Sequence, residues 1–264
     1  MTAGPTAISQ PRAITPGELV AAIRRTHERL GGAVEPLTDA QVFAPSRLPG
    51  WSRGHVLAHL ISLAAAAARQ ICAARRGELV DFYAGGRAGR DAEVEARSTA
   101  GAAEQVRALR RATERLDELL AGLAPADWDR PVRFRNEVVF SMALAWWRET
   151  EIHLTDLDLG PGSDSWSAEL CDHLVDFLAA RAPAGTSLVL EAPDGWARVL
   201  AAGAGTTRVV RGSRTDLVAW LAGRDLVRPV VLDTADPDPD AGINGGPLPA
   251  LAPWPNAASP ERLP

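Results

Sequence analysis

Glu149 and His153 are four residues apart in the sequence WRETEIH, which ends at His153. Residues i and i+4 of an α-helix lie on one face, so a helix here would present a carboxylate beside an imidazole. Another imidazole, that of His59, comes far upstream in the sequence GWSRGHVLAHL over 50–60. If both segments are helices that pack together, these side chains supply three ligands for a divalent metal. Three protein ligands leave one position open, as in catalytic rather than structural zinc sites.

A structural role is the alternative for these residues, because a single carboxylate–histidine pair at this spacing is common by chance. Glu149 would then be a solvated helix residue, and His59 and His153 would be core histidines bonded to carbonyl groups. His55 forms a second i,i+4 pair with His59, but no glutamate follows it, so the H-E-x-x-H pattern of metalloproteases is absent. His55 could be a further ligand, a rim residue or a general base.

Four helices are predicted to position these residues in a bundle. A capped start at Thr15–Glu18 opens the first, and Ser52 is the expected N-cap of the second, which carries His59. The string over 50–54 also matches the G-x-S-x-G of a hydrolase nucleophile elbow, but a loop with a proline precedes it, which favours the helix cap. Apolar periodicity predicts helices near 16–31, 52–74, 102–123 and 138–157.

The polar, glycine-containing segment over 78–98 is predicted to form a long excursion over the site. It contains Asp81, Phe82 and Tyr83, and we expect substrate selectivity to lie there. A disordered surface loop is the alternative.

A second, smaller α+β domain is predicted after the break at 160–164. Its expected helices cover 168–180 and 214–222, and its expected strands cover 187–191, 196–200, 207–210 and 230–232. The predicted fold is therefore an α+β two-domain protein in which a four-helix bundle precedes a smaller α+β domain. Its parts are a flexible arm over 1–14, the bundle over 15–160, the α+β domain over 161–255 and a tail over 256–264.

Composition excludes some classes of partner and favours a cytoplasmic protein. The 264 residues carry a net charge of −5, so nothing indicates an electrostatic hold on nucleic acid or on an anionic membrane. No signal peptide is evident, and the apolar run over 58–67 contains a histidine and is too short to span a bilayer. Cys72 and Cys171 are far apart in apolar contexts, which indicates buried free thiols in a reducing compartment.

Several of these motifs together resemble a known family. The sequence LPGWSRGHVLAHL over 48–60 resembles a signature of the mycothiol-dependent maleylpyruvate isomerase family, whose N-terminal domain is a DinB-like metal-binding bundle. The sequence RETEIH over 148–153, followed by Asp156 and Leu157, resembles its second signature. Near the C-terminus, the sequence WLAGR over 220–224 and the sequence LAPW over 251–254 also match. The resemblance covers most of the chain.

The resemblance implies roles for individual residues. It makes His59, Glu149 and His153 the metal ligands, with zinc as the usual metal, although another divalent metal would suit the same donors. It makes Arg224 the catalytic arginine that orients a substrate anion or mycothiol, although an arginine after a helix often only stabilises the helix dipole. His55 falls outside the ligand set and stays a candidate catalytic or substrate-facing residue.

The implied activity is a thiol chemistry that uses mycothiol, a low-molecular-weight thiol, as cofactor or cosubstrate. A metal lowers the pKa of a bound thiol, and the thiolate then adds to an electrophilic small molecule. The outcome would be cis–trans isomerisation of a maleylpyruvate-type substrate or S-conjugation, by a monomer or a homodimer. A non-catalytic metal- or ligand-binding scaffold or sensor, and a hydrolase that uses zinc-bound water, are the alternatives.

Overall fold

The computed structural model describes residues 13–201, 203, 205–233 and 247–255. The chain divides into two compact units, one over Ile14–Pro161 and one that begins at Gly162. Most of the predicted arm over 1–14, and all of the predicted tail over 256–264, lie outside the described residues.

The N-terminal unit is a bundle of four long helices with two additional helices. Helices α1 and α3 each pack against both α5 and α6, so the four form a closed ring around one core. The short α2 precedes α3, and α4 packs against α3. The helices are α1 (Pro16–Val34), α2 (Asp39–Phe43), α3 (Arg53–Arg75), α4 (Gly86–Ser98), α5 (Ala102–Ala121) and α6 (Val139–Asp156).

The helix starts follow from local hydrogen-bond chemistry. The Thr15 hydroxyl accepts from the backbone N–H of Glu18, and the Glu18 carboxylate accepts from the backbone N–H of Thr15. Pro16 occupies the first helical position. The Ser52 hydroxyl accepts from the N–H of His55, so the predicted N-cap of the second long helix is confirmed. Gly54 then lets α3 approach its neighbours, because a Cβ there would lie 2.7 Å from the carbonyl oxygen of Ser98.

Helix α3 is the central helix of the bundle and is buried on nearly all sides. Its length and its mean hydropathy of 1.5 over the most apolar window would suffice to cross a membrane, although the sequence predicted only a shorter apolar run. However, 78% of that window is buried inside the protein. Many of its buried residues are alanines, which allow the other helices to pack closely around it.

The C-terminal unit is a small four-stranded sheet with two helices that pack together. The strand order is β2-β1-β3-β4, in which β1 and β3 are parallel and the outer strands are antiparallel to their neighbours. Gly195, at φ +87°, completes the predicted turn between β1 and β2. The elements are α7 (Ala168–Leu178), β1 (Thr186–Glu191), β2 (Ala197–Leu200), β3 (Thr206–Arg211), α8 (Arg214–Ala222) and β4 (Val231–Asp233). The predicted fold class, a helical bundle followed by a smaller α+β domain, is confirmed.

Candidate metal centre

His59 on α3 meets Glu149 and His153 on α6 in one cluster. One ligand atom from each residue lies within 4.8 Å of the other two. The Oε2 atom of Glu149 is 3.7 Å from Nε2 of His59 and 3.4 Å from Nε2 of His153. Both histidines are buried, and the side chain of Glu149 is 28% exposed. The packing of α3 against α6 thus brings together the three residues that the sequence singled out.

Burial and hydrogen bonds set the charge of each member of the cluster. Burial, against the opposing effect of Glu149 and with a smaller contribution from His153, lowers the pKa of His59 to about 4. Burial also lowers the pKa of His153, but hydrogen bonds to Asp156 and Glu149 outweigh it and raise the value to about 9. Burial raises the pKa of Glu149, but its close contacts with His153 and His59 hold it well below the usual value. At neutral pH the cluster therefore holds a carboxylate, a neutral imidazole and an imidazolium.

Asp156 fixes the orientation of His153. Its Oδ2 atom is 2.9 Å from Nδ1 of His153, and its side chain is fully buried. The Nδ1–H therefore donates to Asp156, and Nε2 faces Glu149. Metal-binding histidines usually have such a carboxylate or carbonyl partner behind the ring.

Arg90 and Trp51 surround His59. The Nη2 atom of Arg90 is 2.9 Å from Nδ1 of His59, and its guanidinium lies 5.8 Å from the centroid of the Trp51 ring. The Trp51 ring also meets His59 edge-on at 5.9 Å and stacks on His55 at 6.0 Å. The sequence predicted Trp51 as a core and helix-packing residue rather than a stacking platform, and Arg90 was not predicted, because nothing in its spacing sets it apart from surface arginines.

His55 lies one helical turn before His59 and is not among the three residues of the cluster. Its Nδ1 atom accepts from the backbone N–H of Ser52 at 3.2 Å and lies 2.7 Å from the Ser52 hydroxyl. Its Nε2 atom is 3.5 Å from Oε2 of Glu95. Both ring nitrogens thus have partners within the bundle, and the Trp51 ring contacts both His55 and His59.

The predicted excursion over 78–98 contains the helix α4, whose Arg90 contacts His59. Tyr83 lies just before this helix. Burial raises the pKa of Tyr83 to about 12, while the charge of Arg90 lowers it and that of Glu149 raises it. Its phenol is therefore protonated at neutral pH and can donate a hydrogen bond.

Arg224 lies in the C-terminal unit, directly after the left-handed Gly223 that ends α8. It donates to the carbonyl oxygen of Ala222 at 2.9 Å, and its guanidinium lies 5.7 Å from the centroid of the Trp254 ring. Arg181 faces the same ring at 5.6 Å. The catalytic role expected for Arg224 remains a prediction.

The donor set suits zinc chemically. Two imidazoles and one carboxylate are common zinc ligands, and a site with three protein ligands keeps a position open for water or a substrate. Two of the donors lie one helical turn apart, and one histidine has a carboxylate behind it. The residues present therefore fit a catalytic divalent-metal site.

Comparison with known structures supports the fold. A crystal structure of a mycothiol-dependent maleylpyruvate isomerase is 22% identical and gives a TM-score of 0.74 over 84% of this chain and 95% of that chain. A histidine-to-alanine mutant of such an isomerase gives 21% identity with the same TM-score and coverage. YfiT from Bacillus subtilis, described as a probable metal-dependent hydrolase with an unusual four-helix bundle topology, is 20% identical, with a TM-score of only 0.45 over 57% of this chain and 92% of its own. No curated protein matches the chain.

The family is shown by the sequence of the bundle. Residues 23–158 match the family described as the mycothiol maleylpyruvate isomerase N-terminal domain. This match spans more than half of the chain and includes all three residues of the cluster, His59, Glu149 and His153. The resemblance predicted from the two signatures is confirmed: the chain belongs to this family.

Proposed function

We propose that this protein is a zinc-dependent enzyme that uses mycothiol as a thiol cofactor or cosubstrate. The convergence of His59, Glu149 and His153 in one cluster carries the proposal, because these donors would hold the zinc. The family, and the solved relatives named as mycothiol-dependent isomerases, support the thiol. Together, zinc and mycothiol would supply a thiolate nucleophile near neutral pH, either for reversible addition to a cis double bond or for S-conjugation.

The side chains around the cluster have separate parts in this proposal. Asp156 holds His153 with its Nε2 towards the metal position. Trp51 shields the cluster from water, and His55 acts through its stacking on that ring. Tyr83 donates a hydrogen bond to the bound substrate. Arg224 pairs with an anionic group of the substrate or of mycothiol.

The proposed substrate is an electrophilic small molecule of the maleylpyruvate type, acted on by a monomer or homodimer in the cytoplasm. Free thiols at Cys72 and Cys171 are consistent with a reducing compartment. Isomerisation and S-transfer need the same ligand set. Only the fate of the adduct differs, because isomerisation expels the thiol and S-transfer retains it.

Zinc content and thiol-dependent turnover test this function. The protein would be purified without added metal or a histidine tag, and zinc would be measured by elemental analysis. We expect about one zinc per chain, lost in His59→Ala, together with maleylpyruvate isomerisation that requires mycothiol. Arg224→Ala should keep its zinc and lose most of the turnover, whereas His55→Ala should keep its zinc and lose less.

Other results would point to the other functions. Zinc without any thiol-dependent turnover of maleylpyruvate or of a general electrophile would indicate a binding scaffold or sensor. Zinc-dependent hydrolysis that proceeds without mycothiol would indicate a hydrolase. Wild-type protein that binds no zinc even after zinc is supplied would overturn the proposal.

The affinity for zinc should rise with pH. The pKa of His153 in the zinc-free protein is raised from 6.5 to about 9, so zinc must displace a proton from this ring at neutral pH. We expect the affinity to rise about tenfold per pH unit from pH 6 to 8 and to level off above the raised pKa. Competition against a chelator of known protonation behaviour measures this slope. Asp156→Asn should shift the levelling-off to lower pH, and a flat wild-type profile would contradict the assignment.

The contribution of His153 to the stability of the zinc-free protein should fall as the pH rises, whereas zinc affinity should increase. A raised pKa in the folded state means that His153 contributes stability fully below pH 6.5, and the contribution is lost as the pH rises through about 9. Zinc binding and zinc-free stability can therefore be distinguished by the sign of their dependence on pH.

A further inference from the structure

We infer that Arg90 locks His59 in a form that cannot bind a metal, and that the arginine must release this ring before zinc enters. The inference rests on the proposed function only in taking zinc as the metal. It concerns a positioning residue on α4, outside the ligand set.

The hydrogen bond from Arg90 fixes the tautomer of His59. A guanidinium has only donors, so the Nδ1 atom of His59, 2.9 Å from Nη2 of Arg90, must accept. A ring that accepts at Nδ1 is neutral and carries its proton on Nε2. That proton points at Oε2 of Glu149, which lies 3.7 Å from Nε2.

A metal on the same ring requires the other tautomer. The nitrogen of His59 that faces Glu149 and His153 is Nε2, so it is the atom that would bind. Its lone pair must then be free, and the proton of a neutral ring must move to Nδ1. Two donors, the ring N–H and the guanidinium, would then face each other, so the bond from Arg90 cannot persist.

His153 shows the contrasting arrangement within the same cluster. Its Nδ1–H donates to Asp156, an acceptor, and its Nε2 already faces the metal position. Histidines that bind a metal through one ring nitrogen normally donate the N–H of the other nitrogen to an acceptor. His153 has an acceptor at that nitrogen and needs only to lose its Nε2 proton, whereas His59 has a donor there and must exchange its tautomer and lose the bond from Arg90.

Few side chains of the helix that carries Arg90 are buried, although the helix packs along α3. Only Val94 and Ser98 of α4 are buried, and its N-cap, Gly85, makes no side-chain cap. Elements with little buried surface and weak caps open at low cost in free energy. The side chain of Arg90 is 22% exposed and already contacts Asp91, so its guanidinium has another partner when it leaves His59.

Zinc affinity of matched arginine variants tests the lock. Arg90→Met removes the donor and should raise the affinity by about tenfold, the lower end for loss of one hydrogen bond to a charged group. Arg90→Gln can accept from Nδ1–H through its amide oxygen and should raise the affinity at least as much. Arg87→Met, on the same helix and 83% exposed at its side chain, should leave the affinity unchanged.

The tautomer of His59 gives a readout that is independent of zinc and of turnover. Long-range proton–nitrogen NMR distinguishes the two tautomers of a neutral ring. We expect the Nε2–H form in zinc-free wild type and a larger share of the Nδ1–H form in Arg90→Met, with the circular dichroism spectrum unchanged.

Two results would overturn the lock. One is an unchanged or weaker zinc affinity in Arg90→Met, which would show that Arg90 does not oppose zinc binding. The other is an Nδ1–H ring in zinc-free wild type. If the wild type binds no zinc, the proposed function fails, and the tautomer still decides whether Arg90 holds His59.

Discussion

Glu149→Gln is expected to lower the affinity for zinc by more than about 100-fold, because loss of a ligand exceeds the roughly 10- to 100-fold effect of losing an outer partner. The carboxylate lies between two histidine nitrogens, at 3.7 and 3.4 Å. An amide of the same size keeps the packing but removes the negative charge that a dication needs. The zinc-free protein should also lose about 1 kcal/mol of stability, because the contacts of the carboxylate with His153 and His59 outweigh the burial cost of its charge.

Chelator competition measures the loss of affinity, and urea unfolding of zinc-free protein measures stability. Wild-type zinc affinity in Glu149→Gln would show that the cluster is a structural hydrogen-bond network and not a metal centre. A large loss of stability with intact affinity would likewise contradict the assignment.

Glu151→Gln is expected to leave zinc affinity unchanged and to lower stability by about 2 kcal/mol. Residues two apart on a helix do not share a face, so Glu151 points away from the cluster. It is buried against α1, where it accepts from the hydroxyl of Thr26 at 2.6 Å and from Nη1 of Arg29 at 3.0 Å. A glutamine would place Arg29 beside a neutral amide. Because the Arg29 side chain is 35% exposed, water screens part of the loss.

Urea unfolding of zinc-free Glu151→Gln measures this effect. Glu78→Gln is the matched control, since Glu78 pairs with Arg76 on the surface and its side chain is 52% exposed. We expect no measurable change in that variant. Equal stabilities of the two variants would show that the α1–α6 contact does not depend on the buried carboxylate.

The sequence predicted those features that depend on residue spacing within one helix. The long helices were predicted because their apolar residues recur with helical period, and Glu149 and His153 were paired because both lie on one helix. Helix α4 was missed, since only Val94 and Ser98 of its residues are buried and no apolar stripe marks it. The short α2, with Val42 alone buried, was missed for the same reason.

Contacts between distant segments could not be predicted in the same way. Arg90 is one arginine among many, and only the packing of α4 on α3 places it at His59. Glu151 reads as another charged helix residue until Thr26 and Arg29 are seen beside it. In the sheet, the strands were each predicted, but the parallel pairing of β1 with β3 was not. Alternation along a strand defines its faces and not its neighbours.

The contact of Arg90 with His59 also bears on how quickly the protein would load its metal. If the ring must be released first, zinc uptake becomes a two-step process whose observed rate reaches a ceiling set by the opening of α4. At high zinc the rate would no longer rise with concentration, and a chelate that delivers zinc faster than the ring is released would load the site as fast as the free ion. Loss of zinc would be limited in turn by dissociation from the ligands, so the same helix would delay entry without prolonging retention.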